Sequence, residues 1–596
     1  MIPAVFFSFL FFFSQPTFAS EHKMPYFPSV KSILLAGCLS ASTAFARLQW
    51  SPCSSNPALD CATLRVPLEY AEPQNQMSAS IPLVRYKATV ATSQRKGSLL
   101  TNPGGPGASG ASFVLNGAGE AISNITGGFY DIIGWDPRGV GSAQPVLQCF
   151  ASAGEEYEAS SDLPSAAEVA YGQFSNQSYM PSYNAAMQEF DSKTAQLAAA
   201  CASYNSTALY TSSAAYIVRD MAAIVDALDG KDAHLNYWGL SYGTIFGVEF
   251  IQTYPERAGK IVLDGVFDAT ANAGTYVSQL PNDQLSVRDA INDLVSFCEQ
   301  AGAAGCALSI PPANVTADIT TRLANLQDSL YEHPIALSQG FSITVGIFSS
   351  FMWSFSRVPT TWPLISSVVS ALEQGDATPM VAILNATAAS PPGNPSAPDT
   401  GSLAEWPLQC VDNAPSSGIT LAEVAALVLN VSLSEDTPWL NADVTPLSFC
   451  RHFPDIRPRI PNLGASKLSN ANSILTQRNT TVLIVNGEND PVTPLASAER
   501  LQSQLATASR LVTRRGPGHT TVSVASLGLV KTIRNYFTDS TLPTSTVYDL
   551  SQLIFSSAID AGTLAPAPVF NGTYSDAELT LLNSTYNVLL AFLSIA

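Results

Sequence analysis

The residues best suited to chemistry form the run Gly239-Leu240-Ser241-Tyr242-Gly243, a serine framed by glycines two positions to either side. A serine hydroxyl becomes a useful nucleophile only beside a base. The chain holds five histidines. His22 lies near the N-terminus, His234 precedes the strand leading to the serine and so sits at its wrong end, and His333 and His452 fall in a helix-and-loop region. His519, in Gly516-Pro-Gly-His-Thr, follows a late strand and is left as the candidate base. The acid that fixes the histidine tautomer belongs between serine and histidine when the chain order is Ser, acid, His. Asn486-Gly-Glu-Asn-Asp490-Pro-Val-Thr-Pro offers Asp490 directly after a buried strand, with Glu488 as the fallback. Asp264, at the end of an earlier strand, reads better as a turn residue. The chemistry is two-step acyl transfer. Serine attacks a carbonyl, histidine moves the proton, and water releases the acyl-enzyme. The developing oxyanion needs amide donors. The N–H of Tyr242 is one, and the loop Asn102-Pro-Gly-Gly-Pro-Gly-Ala-Ser-Gly supplies the other from Gly105 or, equally, Gly104. No Gly-Lys-Ser/Thr follows that loop, so it does not read as a phosphate cradle. Neither a metal nor an organic cofactor is called for.

These side chains must be positioned by strands and helices. Short apolar runs at 97–102, 130–136, 235–240 and 260–264 read as strands, and 214–228 and 245–254 as helices. The alternation implies an α/β fold: a mostly parallel, doubly wound sheet covered on both faces. The pattern breaks into helix and loop, then resumes with strands at 481–486 and 510–514, a helix at 496–505 and a long helix at 522–537. The expected organisation is a leader over 1–46, a first half of the core over 47–269, a mainly helical inserted cap over 270–460, a second half of the core over 461–545, and a tail over 546–596. The stretch 142–211 reads as an irregular or helical excursion, and the apolar C-terminus as a docked element.

Composition narrows the partners. Of 596 residues 46% are hydrophobic and only 13% charged, with a net charge of −19, which disfavours nucleic acid and anionic lipid surfaces. The N-terminus holds two apolar runs; the second, after Lys31, ends Ala44-Phe45-Ala46 in the layout of a secretory signal peptide, with Met24 as a possible start. Either run is short for a membrane span, so no stable membrane association is expected. Nine cysteines become eight once Cys38 is removed with the leader, an even set that reads as disulfides in a secreted chain. Pairing in sequence order is expected: Cys53 with Cys61, Cys149 with Cys201, Cys298 with Cys306, Cys410 with Cys450. Nine N-x-S/T sites, at Asn124, Asn176, Asn205, Asn314, Asn385, Asn430, Asn479, Asn571 and Asn583, mark expected surface positions for glycans. A secreted, extracellular monomer is the expected state.

Together, Asn102-Pro-Gly-Gly-Pro-Gly, Gly134-Trp-Asp-Pro-Arg-Gly-Val-Gly, Gly239-Leu-Ser-Tyr-Gly-Thr, Val262-Leu-Asp-Gly-Val and Asp490-Pro-Val-Thr-Pro resemble the α/β-hydrolase fold. More narrowly, with Leu408-Gln-Cys-Val-Asp and Cys450-Arg-His-Phe-Pro, the chain is similar to secreted tripeptidyl-aminopeptidase-like serine exopeptidases carrying a TAP-like C-terminal domain, relatives of the proline iminopeptidases. The resemblance runs from Cys53 to about Pro543. It implies Ser241 as nucleophile, Asp490 as acid, His519 as base, and release of residues from free peptide N-termini. It also implies cap acids that hold the substrate ammonium, for which Asp412 and Glu405 are candidates. The chain departs from the family where Ser526-Leu527 and Val547-Tyr548 stand in place of a late cysteine pair, and in its long tail. The same residues would equally serve an esterase, lactonase or thioester hydrolase acting on a small secreted metabolite.

Overall fold

A strand that is apolar on both faces is stable only with helices on both sides of its sheet. The computed structural model has that arrangement. It describes residues 48–72, 74–161, 163, 177–204, 206–275, 287–337, 342–387, 394–397, 399, 401–434, 444–555 and 567–595. The leader therefore lies outside the described residues, as do Asn176 and Asn205. One ten-stranded sheet contains β1 (Ser51–Pro52), β2 (Asp60–Pro67), β3 (Ser78–Tyr86), β4 (Ser98–Asn102), β5 (Asp131–Trp135), β6 (Leu235–Leu240), β7 (Ala258–Asp264), β8 (Val482–Asn489), β9 (Ser509–Pro517) and β10 (Val547–Tyr548). Their order across the sheet is β1-β2-β3-β5-β4-β6-β7-β8-β9-β10. β1, β2 and β3 pair antiparallel, as does β3 with β5, and every pairing from β5 to β10 is parallel. The order reverses direction at β4 and β6, so a crevice opens at their carboxyl ends, where ligands of such sheets bind.

The helices around the sheet and above it include α1 (Gly119–Ile125), α2 (Ala214–Asp229), α3 (Gly243–Thr253), α4 (Glu405–Asp412), α5 (Leu527–Asp539) and α6 (Asp576–Leu593). α2 shows why such segments become helices. Ile217, Met221, Ile224 and Val225 recur at helical spacing and are buried, and Gly230 ends the helix with a φ of +104° that other residues avoid. α2 and α3 pack on one face of the sheet, and α1, α5 and α6 on the other.

Residues 287–337 and 342–387 hold a helical cluster around Phe348, Phe351 and Trp362. The 142–211 excursion is helical at Ala153–Ser161, Met180–Tyr204 and Ser206–Thr211, and it shares a core with α4 and with helices Leu421–Ser434 and Val444–His452, through Tyr183, Phe190, Trp406 and Phe449. The layer above the sheet is thus built from two distant stretches of chain, joined where Asp191 pairs with Arg451 and, at 2.9 Å, His452. Four disulfides follow sequence order: Cys53–Cys61, Cys149–Cys201, Cys298–Cys306 and Cys410–Cys450. Among the described residues no helix is long and apolar enough to cross a membrane. The sequence expectation of one helix over 522–537 is corrected: a short 3-10 turn, Thr521–Ser523, precedes α5, because Thr521 is drawn inward by Asp264. The tail supplies β10 at the sheet edge and α6 against the core.

Candidate active site

A nucleophile elbow demands small residues, because the chain reverses from strand to helix within a few atoms' width. β6 runs into α3 through Ser241, which is held at φ +53°. A Cβ on Gly239 would meet the carbonyl of Gly243 at 2.6 Å, and one on Gly243 would meet that of Asn102 at 2.6 Å. The Ser241 N–H donates to the carbonyl of Asp264 at 2.9 Å, tying the elbow to β7. The Ser241 Oγ lies 2.9 Å from Nε2 of His519. His519 Nδ1 lies 3.0 and 3.2 Å from the two carboxylate oxygens of Asp490. Ser241 is 5% exposed, His519 8% and Asp490 0%.

Asp490 follows β8 and accepts from the N–H groups of Val492 (2.9 Å), Thr493 (2.8 Å) and Thr520 (2.7 Å) and from Thr493 Oγ1 (2.8 Å). Burial disfavours its charge, but His519 and these amides outweigh that and hold the carboxyl below its ordinary value. Glu488 points elsewhere, accepting from the Gly516 N–H at 3.1 Å. Asp264 accepts from the N–H and Oγ1 of Thr521, both at 2.7 Å, and anchors the chain just past the histidine.

The loop that carries His519 is built around Arg514, which is fully buried. Its guanidinium donates to the carbonyls of Arg515 (3.1 Å), Pro517 (2.7 Å) and Gly518 (3.3 Å) and to Ser523 Oγ (3.3 Å). Burial pulls its pKa down to about 10, against the nearby carboxylates of Asp490 and Asp264. The His519 N–H donates to the carbonyl of Arg357 at 2.8 Å, so the histidine is also fixed from the helical layer. Sequence reasoning passed over Arg514, although strand alternation around Arg514-Arg515 turns one arginine inward.

On the other side of the serine, Gly104 (φ +100°) packs so tightly that a Cβ would come within 2.7 Å of the Tyr242 nitrogen. The Gly104 N–H donates to Asn102 Oδ1 at 2.9 Å. Of the two glycines it is therefore Gly105 whose N–H makes no hydrogen bond among the described residues. The loop is braced by Asp136 of the Trp-Asp-Pro-Arg turn, which accepts from Ser109 Oγ and, at 2.8 Å, from the Ser142 N–H. Arg138 of the same turn is buried, pairs with Asp220 of α2 at 2.6 and 2.8 Å, and donates to the carbonyls of Leu68 and Pro67.

The two candidate acids part company here. Asp412 is buried, and both its oxygens are engaged by protein. Oδ2 accepts from Tyr242 OH at 2.6 Å, and Oδ1 from Ala214 N–H (2.8 Å) and Asn462 Nδ2 (2.7 Å). Burial pushes its carboxyl up despite these donors. It positions the residue after the serine. Glu405, in the first turn of α4, lies beside the glycine loop; a Cβ on Gly107 would approach the Glu405 nitrogen to 3.3 Å. The described sequon asparagines, Asn124, Asn314, Asn385, Asn430, Asn479, Asn571 and Asn583, are all exposed.

The sheet order with its reversal at β4 and β6, the strained serine after β6 and the acid and histidine after β8 and β9 make this chain an α/β hydrolase by fold. More narrowly, residues 456–548 match the sequence model of the TAP-like protein family. The chain is similar to "Serine protease Hip1" of Mycobacterium tuberculosis, 28% identical over 363 residues that cover 57% of this chain and 64% of that one. It thus spans just under two thirds of the length of that relative. It is also similar to "Tripeptidyl aminopeptidase" of Streptomyces lividans, 25% identical over 81% of this chain and 82% of that one. A third relative is "Carboxylesterase B" of Mycobacterium tuberculosis, 27% identical over 81% and 85%.

Proposed function

We propose that the chain is a secreted serine hydrolase that removes residues or short peptides from free N-termini. The observation that carries this reading is the unbroken chain of contacts from Ser241 Oγ through both ring nitrogens of His519 to the buried Asp490. In this reading His519 takes the Ser241 proton as Oγ attacks the carbonyl. The N–H groups of Tyr242 and Gly105 receive the oxyanion. The same proton then passes from Nε2 to the departing nitrogen, and water, deprotonated by His519, releases the acyl group. Asp490 holds the tautomer and stabilises the imidazolium. Glu405, beside the glycine loop, is the acid suited to a substrate ammonium. The helical layer favours a chain end over folded protein. Four disulfides suit an oxidising compartment, and exposed sequons suit glycans there.

The relative named a carboxylesterase supports a second reading, an esterase acting on small acyl esters with the same residues. A peptide-library digest by wild type and Ser241→Ala, read by mass spectrometry, separates them. Trimming of N-termini by wild type alone is expected. An untouched library beside rapid p-nitrophenyl ester turnover would replace the peptidase reading with the esterase one.

A further inference from the structure

In acyl transfer the leaving group departs past the imidazole that protonates it, so a side chain fixed beside that imidazole limits its size. The C-terminal helix supplies one. α6 opens in a capping box of Ser575 and Glu578, and Glu578 also accepts from Lys531 Nζ of α5 at 2.6 Å. At its other end Asn116 Nδ2, in the helical stretch after the glycine loop, donates to Ser594 Oγ at 3.0 Å. In between, Tyr586 and Leu589 pack on Val358, next to the Arg357 whose carbonyl holds the His519 N–H. One helix thus links the oxyanion side, the histidine loop and the helical layer, and it is tied down at both ends. On its last turn Phe592 meets His519 edge to face, ring centroids 5.9 Å apart and planes at 69°.

The geometry points to Phe592 as a specificity-determining residue that restricts the part of the leaving group next to the scissile bond, in a peptide the first residue of the departing chain, to compact shapes. This rests on the serine-hydrolase reading above. The step it acts on is acylation: Ser241 Oγ bonds to the carbonyl carbon, the bond from that carbon to the leaving nitrogen or oxygen breaks, and the serine proton, held on His519 Nε2, goes to the leaving atom. The contact is with the imidazole that serves the leaving atom, so on this proposal a change at Phe592 acts on the leaving group and the acyl series is its control.

The test uses the full chain and acetate esters of one acyl group with growing leaving groups: p-nitrophenol, 4-methylumbelliferone and naphthol AS. For Phe592→Ala the ratio of kcat/KM for the bulkiest to the smallest ester rises at least tenfold, and for Phe592→Trp it falls. A parallel series of p-nitrophenyl esters from acetate to octanoate shows no comparable shift. Should Phe592→Ala fail to give a folded chain on thermal melting, Phe592→Leu is read instead, with a rise of at least threefold. An unchanged leaving-group ratio, or an equal shift in the acyl series, overturns the proposal while the hydrolase reading stands. A fluorophosphonate that labels Ser241 in no form of the protein, with no ester turned over, removes the hydrolase reading and the proposal with it.

Discussion

The charge on Asp490 is the residue-scale feature on which the site turns. It sits at 0% exposure, compensated by three amides, a threonine hydroxyl and the histidine. Asp490→Asn keeps the volume but offers Nδ1 the wrong partner. We expect kcat to fall on the order of 10⁴-fold with KM little changed, as such a tautomer error does in comparable sites. Steady-state kinetics with circular dichroism to confirm folding would check this. Tyr242 is a subtler case. Its hydroxyl ends on Asp412, itself buried and held by Ala214 and Asn462. Tyr242→Phe leaves that carboxylate short of one donor, so a stability loss of about 1–3 kcal/mol is expected in denaturant titration.

Element-scale predictions concern what holds the loops. Arg514 is a single buried cation tying together the carbonyls of the strand-to-histidine turn. Arg514→Met leaves those buried carbonyls without their donor, removes the positive charge near Asp490 and Asp264, and is expected to cost about 3–5 kcal/mol. Because His519 loses its template, kcat should fall more than KM rises, and addition of guanidine at millimolar concentration should restore part of kcat. α3 carries a pH-sensitive contact. Glu249 is buried and accepts from the Leu463 N–H at 2.9 and 3.1 Å; burial pushes its carboxyl from 4.5 up to about 7. With the folded pKa above the unfolded one, the folded state binds more protons between these values. Its stabilising contribution is complete below about pH 4.5 and lost as pH rises through about 7. Glu249→Gln should remove that slope, up to ~3 kcal/mol across the window. Melting temperatures of the two proteins that stay parallel from pH 4.5 to 7 would exclude the coupling.

At the scale of the whole molecule, the layer above the sheet is stitched from stretches far apart in sequence. Cys149–Cys201 closes a separation of 52 residues and Cys410–Cys450 one of 40, whereas Cys53–Cys61 and Cys298–Cys306 close only 8 each. In the chain-entropy account, longer loops restrict the unfolded chain more. Replacing the Cys410–Cys450 pair by serines should cost about 4 kcal/mol, and the Cys298–Cys306 pair about 2.5 kcal/mol. Denaturant midpoints of the two double variants read the difference, and equal losses would set the entropic ranking aside. The same layer reaches the site through Arg357 and Val358, so its loosening should lower activity before the sheet unfolds.

The sequence by itself determined the candidate side chains and their order along the chain. Gly239, Ser241 and Gly243 can satisfy a strand-to-helix reversal only one way, and only one histidine stands at the right end of a late strand. It also determined the alternation of strand and helix, because period and flanking turns are local properties, and it anticipated the cysteine pairing. What it left open depends on neighbours distant in the chain. Gly104 and Gly105 look alike until the Asn102 side chain takes the amide of the first. Asp412 and Glu405 are both acids on one helix, and only packing turns Asp412 inward to Tyr242 and sets Glu405 beside Gly107. Arg514 gains its meaning from carbonyls that fold back over it. The tail, weakly patterned on its own, becomes a wall of the site because α1, α5 and Val358 together offer α6 a surface to cover, and that brings Phe592 to His519. Local sequence sets which bonds a residue can make; the tertiary fold decides which partner is within reach.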